Sequence, residues 1–173
     1  MNDVIRCLTE RRSCRRYKCR QVAPEVLEQI LLAGTYAASG MGKQSPKIIV
    51  LQKPKDIDQL ERMNAAVMGK EDAHPFYGAP TVLVVLARAD VSTCVEDGSL
   101  VIGNLMAAAH SLGVSSCWIH RAREEFASEE GKALLRQWGI EGDWVGVGHC
   151  ILGYRAEPPR PAAPRKADYI VKI

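Results

Sequence analysis

Thr81-Val82-Leu83-Val84-Val85-Leu86-Ala87 is the stretch on which the fold turns. It is an unbroken run of β-branched and aliphatic side chains, too short for a membrane span and with no alternation of polar residues. Such a run predicts a strand buried on both faces, and a strand of that kind needs cover above and below its sheet. The cover is legible on either side of it. Cys94 to Leu112 spaces Leu100, Val101, Leu105, Met106, Ala108 and Ala109 as the inner face of a long helix, which Gly113 ends as a left-handed cap. Pro24 suits the first turn of another helix, continued by Val26, Leu27, Ile30, Leu31 and Gly34.

Further strands are predicted at Lys47 to Gln52, Ser115 to Ile119 and Trp144 to Tyr154, the last with glycines where something packs closely. Further helices are predicted at Asp3 to Arg11, capped by Asn2 or Asp3, from Pro54 to about Met68, and as one unit from Glu124 to Trp138. Tyr17 to Val22 reads as extended, Thr35 to Pro46 as a loop of small residues, and His74 to Pro80 as a turn-rich link. Pro158, Pro159, Pro161 and Pro164 exclude helix or central strand from the end of the chain, which must run over a surface, its own or a partner's. Strands and helices alternate, yet no GxGxxG turn follows a first strand, so a Rossmann dinucleotide site has no support.

The 173 residues predict a single domain spanning 1–173, with 47% hydrophobic and 25% charged residues typical of a globular chain. The N-terminal MNDVIRCLTERR has charges where a secretory signal needs an apolar stretch, and no apolar run reaches membrane length. The six cysteines show no CxxC or ferredoxin-like spacing, and the four histidines form no HExxH. The expectation is a cytoplasmic protein with reduced thiols, no metal and no membrane partner.

The formal net charge is only +3, but the basicity is uneven. Arg11-Arg12-Ser13-Cys14-Arg15-Arg16-Tyr17 packs four guanidiniums beside a serine hydroxyl, and residues 155 to 172 hold five Lys or Arg against two acids. Guanidiniums are planar, permanently charged forks that fit phosphate oxygens. The two ends of the chain can therefore meet at one anionic group. A nucleic-acid arm is the competing reading, but no aromatic ladder accompanies the arginines and the net charge is small, so no nucleic-acid partner is expected. Cys14 among the arginines would favour its thiolate if it were exposed.

Three segments in order resemble the nitroreductase family of FMN-dependent oxidoreductases. Arg11-Arg12-Ser13-Cys14-Arg15 resembles the family's RRSxR phosphate motif. Ala38-Ser39-Gly40-Met41-Gly42-Lys43-Gln44-Ser45-Pro46 resembles its PSxxNxQPW loop, followed as there by a strand. Asp97-Gly98 through Ala107-Ala108-Ala109-His110-Ser111-Leu112-Gly113 to Cys117-Trp118-Ile119 resembles its central helix and LGxxxCWIG strand, and Gly153-Tyr154 with Arg165-Lys166 matches its closing GY and basic tail. The chain departs from the pattern at Gly42 and Pro46, for Asn and Trp, and at His120, for Gly.

The resemblance implies an α+β, nitroreductase-like three-layer fold: a central mixed or antiparallel sheet flanked by helices, with an extended C-terminal tail exchanged across a homodimer. It implies FMN at the subunit interface. Arg11, Arg12, Ser13 and Arg15 would meet its phosphate, ribityl chain and pyrimidine edge, and Arg165 and Lys166 would close the phosphate site. Ser39 and Gln44 would come from the partner subunit, and Ile119 and His120 would lie along the ring. NAD(P)H would donate a hydride, and a nitroaromatic, quinone or related small aromatic acceptor would receive it, in ping-pong order. No side chain is assigned a catalytic role, because hydride transfer belongs to the cofactor while the protein supplies position and electrostatics. Arg15 is the candidate cation for the reduced ring. At an effective dielectric of about 20, one charge about 4 Å away contributes on the order of 4 kcal/mol before screening. The alternatives are a flavin- or nucleotide-binding sensor with little turnover, or a relative with divergent flavin chemistry.

Overall fold

The computed structural model describes residues 1–173. Its elements are α1 (Asp3–Glu10), α2 (Pro24–Thr35), β1 (Pro46–Leu51), α3 (Pro54–Val67), β2 (Thr81–Arg88), α4 (Cys94–Ser111), β3 (Ser115–Ile119), α5 (Ala122–Ala127), α6 (Glu129–Gln137) and β4 (Trp144–Gly153). The four strands form one sheet in the order β1-β2-β4-β3, and every neighbouring pair is antiparallel. The sheet is therefore antiparallel throughout and not mixed.

Residues 81–87 are all buried, as the aliphatic run requires of a strand with neighbours on both edges. Their side chains alternate between two cores. Val82, Val84 and Leu86 pack with Ile57, Leu60, Phe76, Phe126 and Leu134 on the side of α3, α5 and α6. Leu83, Val85 and Ala87 pack with Leu27, Ile30, Ile102 and Leu105 on the side of α2 and α4. This is the expected three-layer α+β arrangement, and each of its buried valine, leucine, isoleucine and phenylalanine side chains contributes about 1.5–3 kcal/mol on leaving water.

The glycine-rich start of β4 has a steric cause. A register shift between Val85 and Leu86 brings Gly146 under α5, where a Cβ would stand 2.0 Å from the Ala122 carbonyl oxygen. Only a bare backbone lets α5 sit that close to the sheet.

The expected single helix from Glu124 to Trp138 is two helices. Ser128 breaks it in extended conformation (φ −72°, ψ 158°), donating its hydroxyl to the Glu125 carbonyl (2.6 Å) and accepting from the Gly131 N–H (3.0 Å). One serine thus closes α5 and caps α6, a local alternative to continuing the helical ladder.

Candidate active site

The arginine run starts at the C-cap of α1, where the Arg11 N–H donates to the Cys7 carbonyl (3.1 Å), and is not a free arm. It lies extended along the outer edge of β3 and is fastened at several points. Cys14 N–H donates to the Ser116 carbonyl (2.9 Å), Lys18 N–H to the Tyr154 carbonyl (2.8 Å) and Ala156 N–H to the Arg16 carbonyl (2.9 Å). Ser13 bridges Ser116 and Tyr17 bridges Arg155. Along this segment Cys14 is buried and Tyr17 half-buried, with exposed Arg15 and Arg16 between them, and the Tyr17 hydroxyl donates to the Cys14 carbonyl (2.9 Å). Burial, and then Cys14, push the Tyr17 phenol far above its ordinary range, so it stays a neutral donor. The thiol of Cys14 is sealed beneath the run, which removes the condition for an exposed reactive thiolate.

The outward side chains form a cationic cleft of about 450 Å³, lined by Arg12, Ser13, Arg15, Arg16, Arg155 and Arg160 with Pro158, Pro159 and Pro161. Glu157 is the one acid in its lining and is paired with Arg16. Arg12 spends part of its guanidinium on the carbonyls of Thr9 and Arg11 (2.7 Å each), and Arg155 donates to Ser115 Oγ (2.9 Å). Arg11 turns inward, and its Nη1 is buried with no hydrogen-bond partner. Nearby His110 registers the local field. Burial lowers its pKa; Glu10 opposes this, while Arg11, Arg155 and Arg12 add to the lowering.

A second cleft, of about 330 Å³, lies between α2, β1 and the loop after α2. Ser39 and Gln44 line it with Leu31, Ala37, Ala38, Pro46, Ile48, Val50 and Val101, and no charged side chain takes part. Gln44 is held in a left-handed conformation (φ 48°), and its N–H donates to Ser39 Oγ (3.1 Å).

Ile119 ends β3 in the core, and the exposed His120 begins the turn to α5. Asn64, fully buried on α3, ties that turn down: its Nδ2 donates to the His120 carbonyl and its Oδ1 accepts from Arg121 Nε, both at 2.9 Å. Arg121 itself sits at φ 80°.

The structure thus brings Arg12, Ser13 and Arg15 together in one cleft, while Arg11, next in the chain, turns its guanidinium inward and is not part of that lining. Ser39 and Gln44 share the second cleft. Arg165 and Lys166 join neither cleft: both are exposed on the tail, and Arg165 donates to the Ala163 carbonyl (2.7 Å). Arg155 and Arg160 line the arginine cleft instead. The excess of basic residues after 155 was the available signal, but only the path of the chain says which of them turn inward.

Residues 8–154 match the family model described as "Nitroreductase family". The chain belongs to the nitroreductase family. A nitroreductase of Bacteroides fragilis, solved with bound FMN, superposes on it with a TM-score of 0.91 at 28% identity, each chain covered in full. A nitroreductase of Desulfitobacterium hafniense, also solved with FMN, shares the fold at a TM-score of 0.88 and 24% identity, over 100% of this chain and 99% of that one. An Archaeoglobus fulgidus protein named "Putative NADH dehydrogenase/NAD(P)H nitroreductase" is 30% identical over 89% of this chain and 86% of its own length. The FMN reductase [NAD(P)H] of Bacillus subtilis is 29% identical over 71% of this chain and 56% of its own length. No helix of this nitroreductase-family chain is long and apolar enough to cross a membrane.

Proposed function

We propose that this chain is an FMN-dependent oxidoreductase that takes a hydride from NAD(P)H and delivers it to a small nitroaromatic, quinone or related acceptor, in ping-pong order. One observation carries the cofactor reading: a buried guanidinium nitrogen of Arg11 without a partner, beside a cleft of arginines with a single acid already paired. An unsatisfied buried donor is costly in a free protein. A bound polar or anionic group that accepts from it offsets that cost. The donor set fits FMN: guanidinium forks and the Ser13 hydroxyl for a phosphate, a further inward donor for a carbonyl edge. The FMN-bound nitroreductase of B. fragilis and the FMN reductase of B. subtilis support the same reading.

FMN supplies the chemistry of relaying the hydride. The chain's own residues bind and orient. Arg12, Ser13 and Arg15 would hold the phosphate, with Arg11 as a further donor, and Ile119 and His120 would lie along the ring. Ser39, Gln44 and the uncharged cleft around them admit a flat apolar acceptor while offering nothing to a phosphorylated one. The anaerobic visible spectrum of the purified protein tests this. A yellow protein that bleaches on NADH or NADPH and regains colour with menadione or nitrofurazone is expected. A protein that cannot be loaded with FMN, or is loaded and never bleaches, overturns it.

The reading includes a homodimer in which Ser39, Gln44, Arg165 and Lys166 serve the partner subunit's cofactor. Its support is unpartnered apolar surface. Val4, Ile5 and Leu8 on α1 are 46–66% exposed, and the tail carries Tyr169-Ile170-Val171, each about three-quarters exposed. Patches of that kind mark association surfaces. Removing residues 162–173 keeps Arg160 in place but takes away Arg165, Lys166 and the apolar end. Sedimentation of this variant is expected to show monomer, with FMN affinity reduced about tenfold through lost charge-assisted contacts. An unchanged dimer with unchanged affinity refutes the exchange. A cytoplasmic location completes the proposal, supported by six cysteines that are all free.

A further inference from the structure

The loop bearing Ser39 and Gln44 has a backbone that its sequence does not hold unaided. Met41, Gly42 and Gln44 lie at φ 53°, 65° and 48°, a left-handed region that disfavours two of the three. One side chain gathers this loop. Asp97, in the first turn of α4, is 2% exposed. Its Oδ1 accepts from the Gly40 N–H (2.9 Å), and its Oδ2 accepts from the hydroxyls of Ser45 (3.0 Å) and Thr93 (3.2 Å). Two of these donors belong to the loop, one at each end of its strained stretch. The third donor and the α4 N-terminus compensate the buried charge. Contact at the tether is close: a Cβ on Gly40 would stand 2.3 Å from Thr93 Oγ1.

We propose that Asp97 is a positioning residue, which presets the 39–45 loop so that Ser39 and Gln44 face the uncharged cleft and so fixes acceptor recognition. The proposal rests on the reading of that cleft as the acceptor end of an FMN site. A buried, satisfied aspartate with a purely structural role would affect stability alone. A positioning role acts on KM for the acceptor, on kcat less, and on the absorption of the bound flavin.

Two substitutions at Asp97 and one at Gly40 separate the cases, with menadione as acceptor and wild-type protein loaded with FMN. Asp97→Ala leaves the donors of Gly40, Ser45 and Thr93 unanswered, and a menadione KM raised about tenfold is expected with a shifted flavin maximum and FMN still bound at the arginine cleft. Asp97→Asn keeps an acceptor for Gly40, and its amide can donate to hydroxyls that rotate to accept, so KM is expected to return to within about threefold of wild type. Gly40→Ala keeps Asp97 intact and displaces the same loop, so it should raise KM alike even where Asp97→Ala fails to fold. Adding Thr93→Ala to Gly40→Ala removes the nearest clash and should recover part of the loss. Wild-type KM and spectrum in Gly40→Ala overturn the proposal, as does Asp97→Asn behaving like Asp97→Ala. A wild-type protein that binds no FMN refutes the functional reading instead.

Discussion

Arg11→Ala combined with Ser13→Ala is expected to yield a protein that folds normally and has lost its FMN. Losing a charge-assisted bond from Arg11 and a neutral one from Ser13 removes about 3–4 kcal/mol of binding, or roughly 100- to 1,000-fold in affinity. The stability side of the prediction has the opposite sign. Arg11 Nη1 is buried without a partner in the free protein, so its removal discards an uncompensated donor. The melting temperature without cofactor should hold or rise, while the gain on adding FMN should vanish, because ligand stabilisation follows occupancy. Such a trade of stability for function is the signature of a site kept ready for its ligand. Fluorescence titration with FMN and thermal unfolding with and without it measure both halves. Arg6→Ala serves as control, since Arg6 is exposed on α1 and pairs only with Asp3 and the Met1 carbonyl. A double variant that holds FMN within a few-fold of wild type removes the arginine site from the mechanism.

The arginine site was legible in the sequence because charge density is a local property. Arg11 to Arg16 announce an anion wherever the chain takes them. Likewise 81–87 and 94–112 could be placed by composition and period, which are local too. What escaped the sequence reading depends on contacts between distant positions. Arg155 enters the cleft because the Ala156 N–H binds the Arg16 carbonyl and Glu157 pairs with Arg16, contacts that span about 140 residues. Asp97 and Asn64 look like ordinary helix polars, and they acquire their roles from loops 52 to 57 residues away in sequence. The break at Ser128 was within reach. Ser128-Glu129-Glu130 is an N-cap followed by acids, and the apolar period running across it concealed the signal.

The same break carries Glu125 into the core, where the second large effect is expected. Glu125 and His149 are both fully buried, with Oε2 and Nε2 2.5 Å apart. Phe76 meets the imidazole edge-on at 5.3 Å between centroids, and Phe126 lies at 6.4 Å. The outer atoms, Glu125 Oε1 and His149 Nδ1, have no partner, so nothing besides the pair compensates either group. Glu125→Ala would strand a buried imidazole, and removal of one member of such a pair costs about 3–5 kcal/mol. Against a total stability of about 5–15 kcal/mol that is a severe loss, lowering the melting temperature by on the order of 10 °C in a chain of this size. Replacing both members, as Glu125→Leu with His149→Phe, removes the buried polar atoms together and should cost much less than Glu125→Ala alone. The consequence reaches the site, because His149 pairs with Ile119 across the sheet and Glu125 belongs to the helix that follows His120 and Arg121. Circular dichroism melts of the two variants decide the matter. A Glu125→Ala protein within about 1 kcal/mol of wild type, or a double variant no better than the single, shows that the pair is not what pins α5 and the turn at His120 and Arg121 to the sheet.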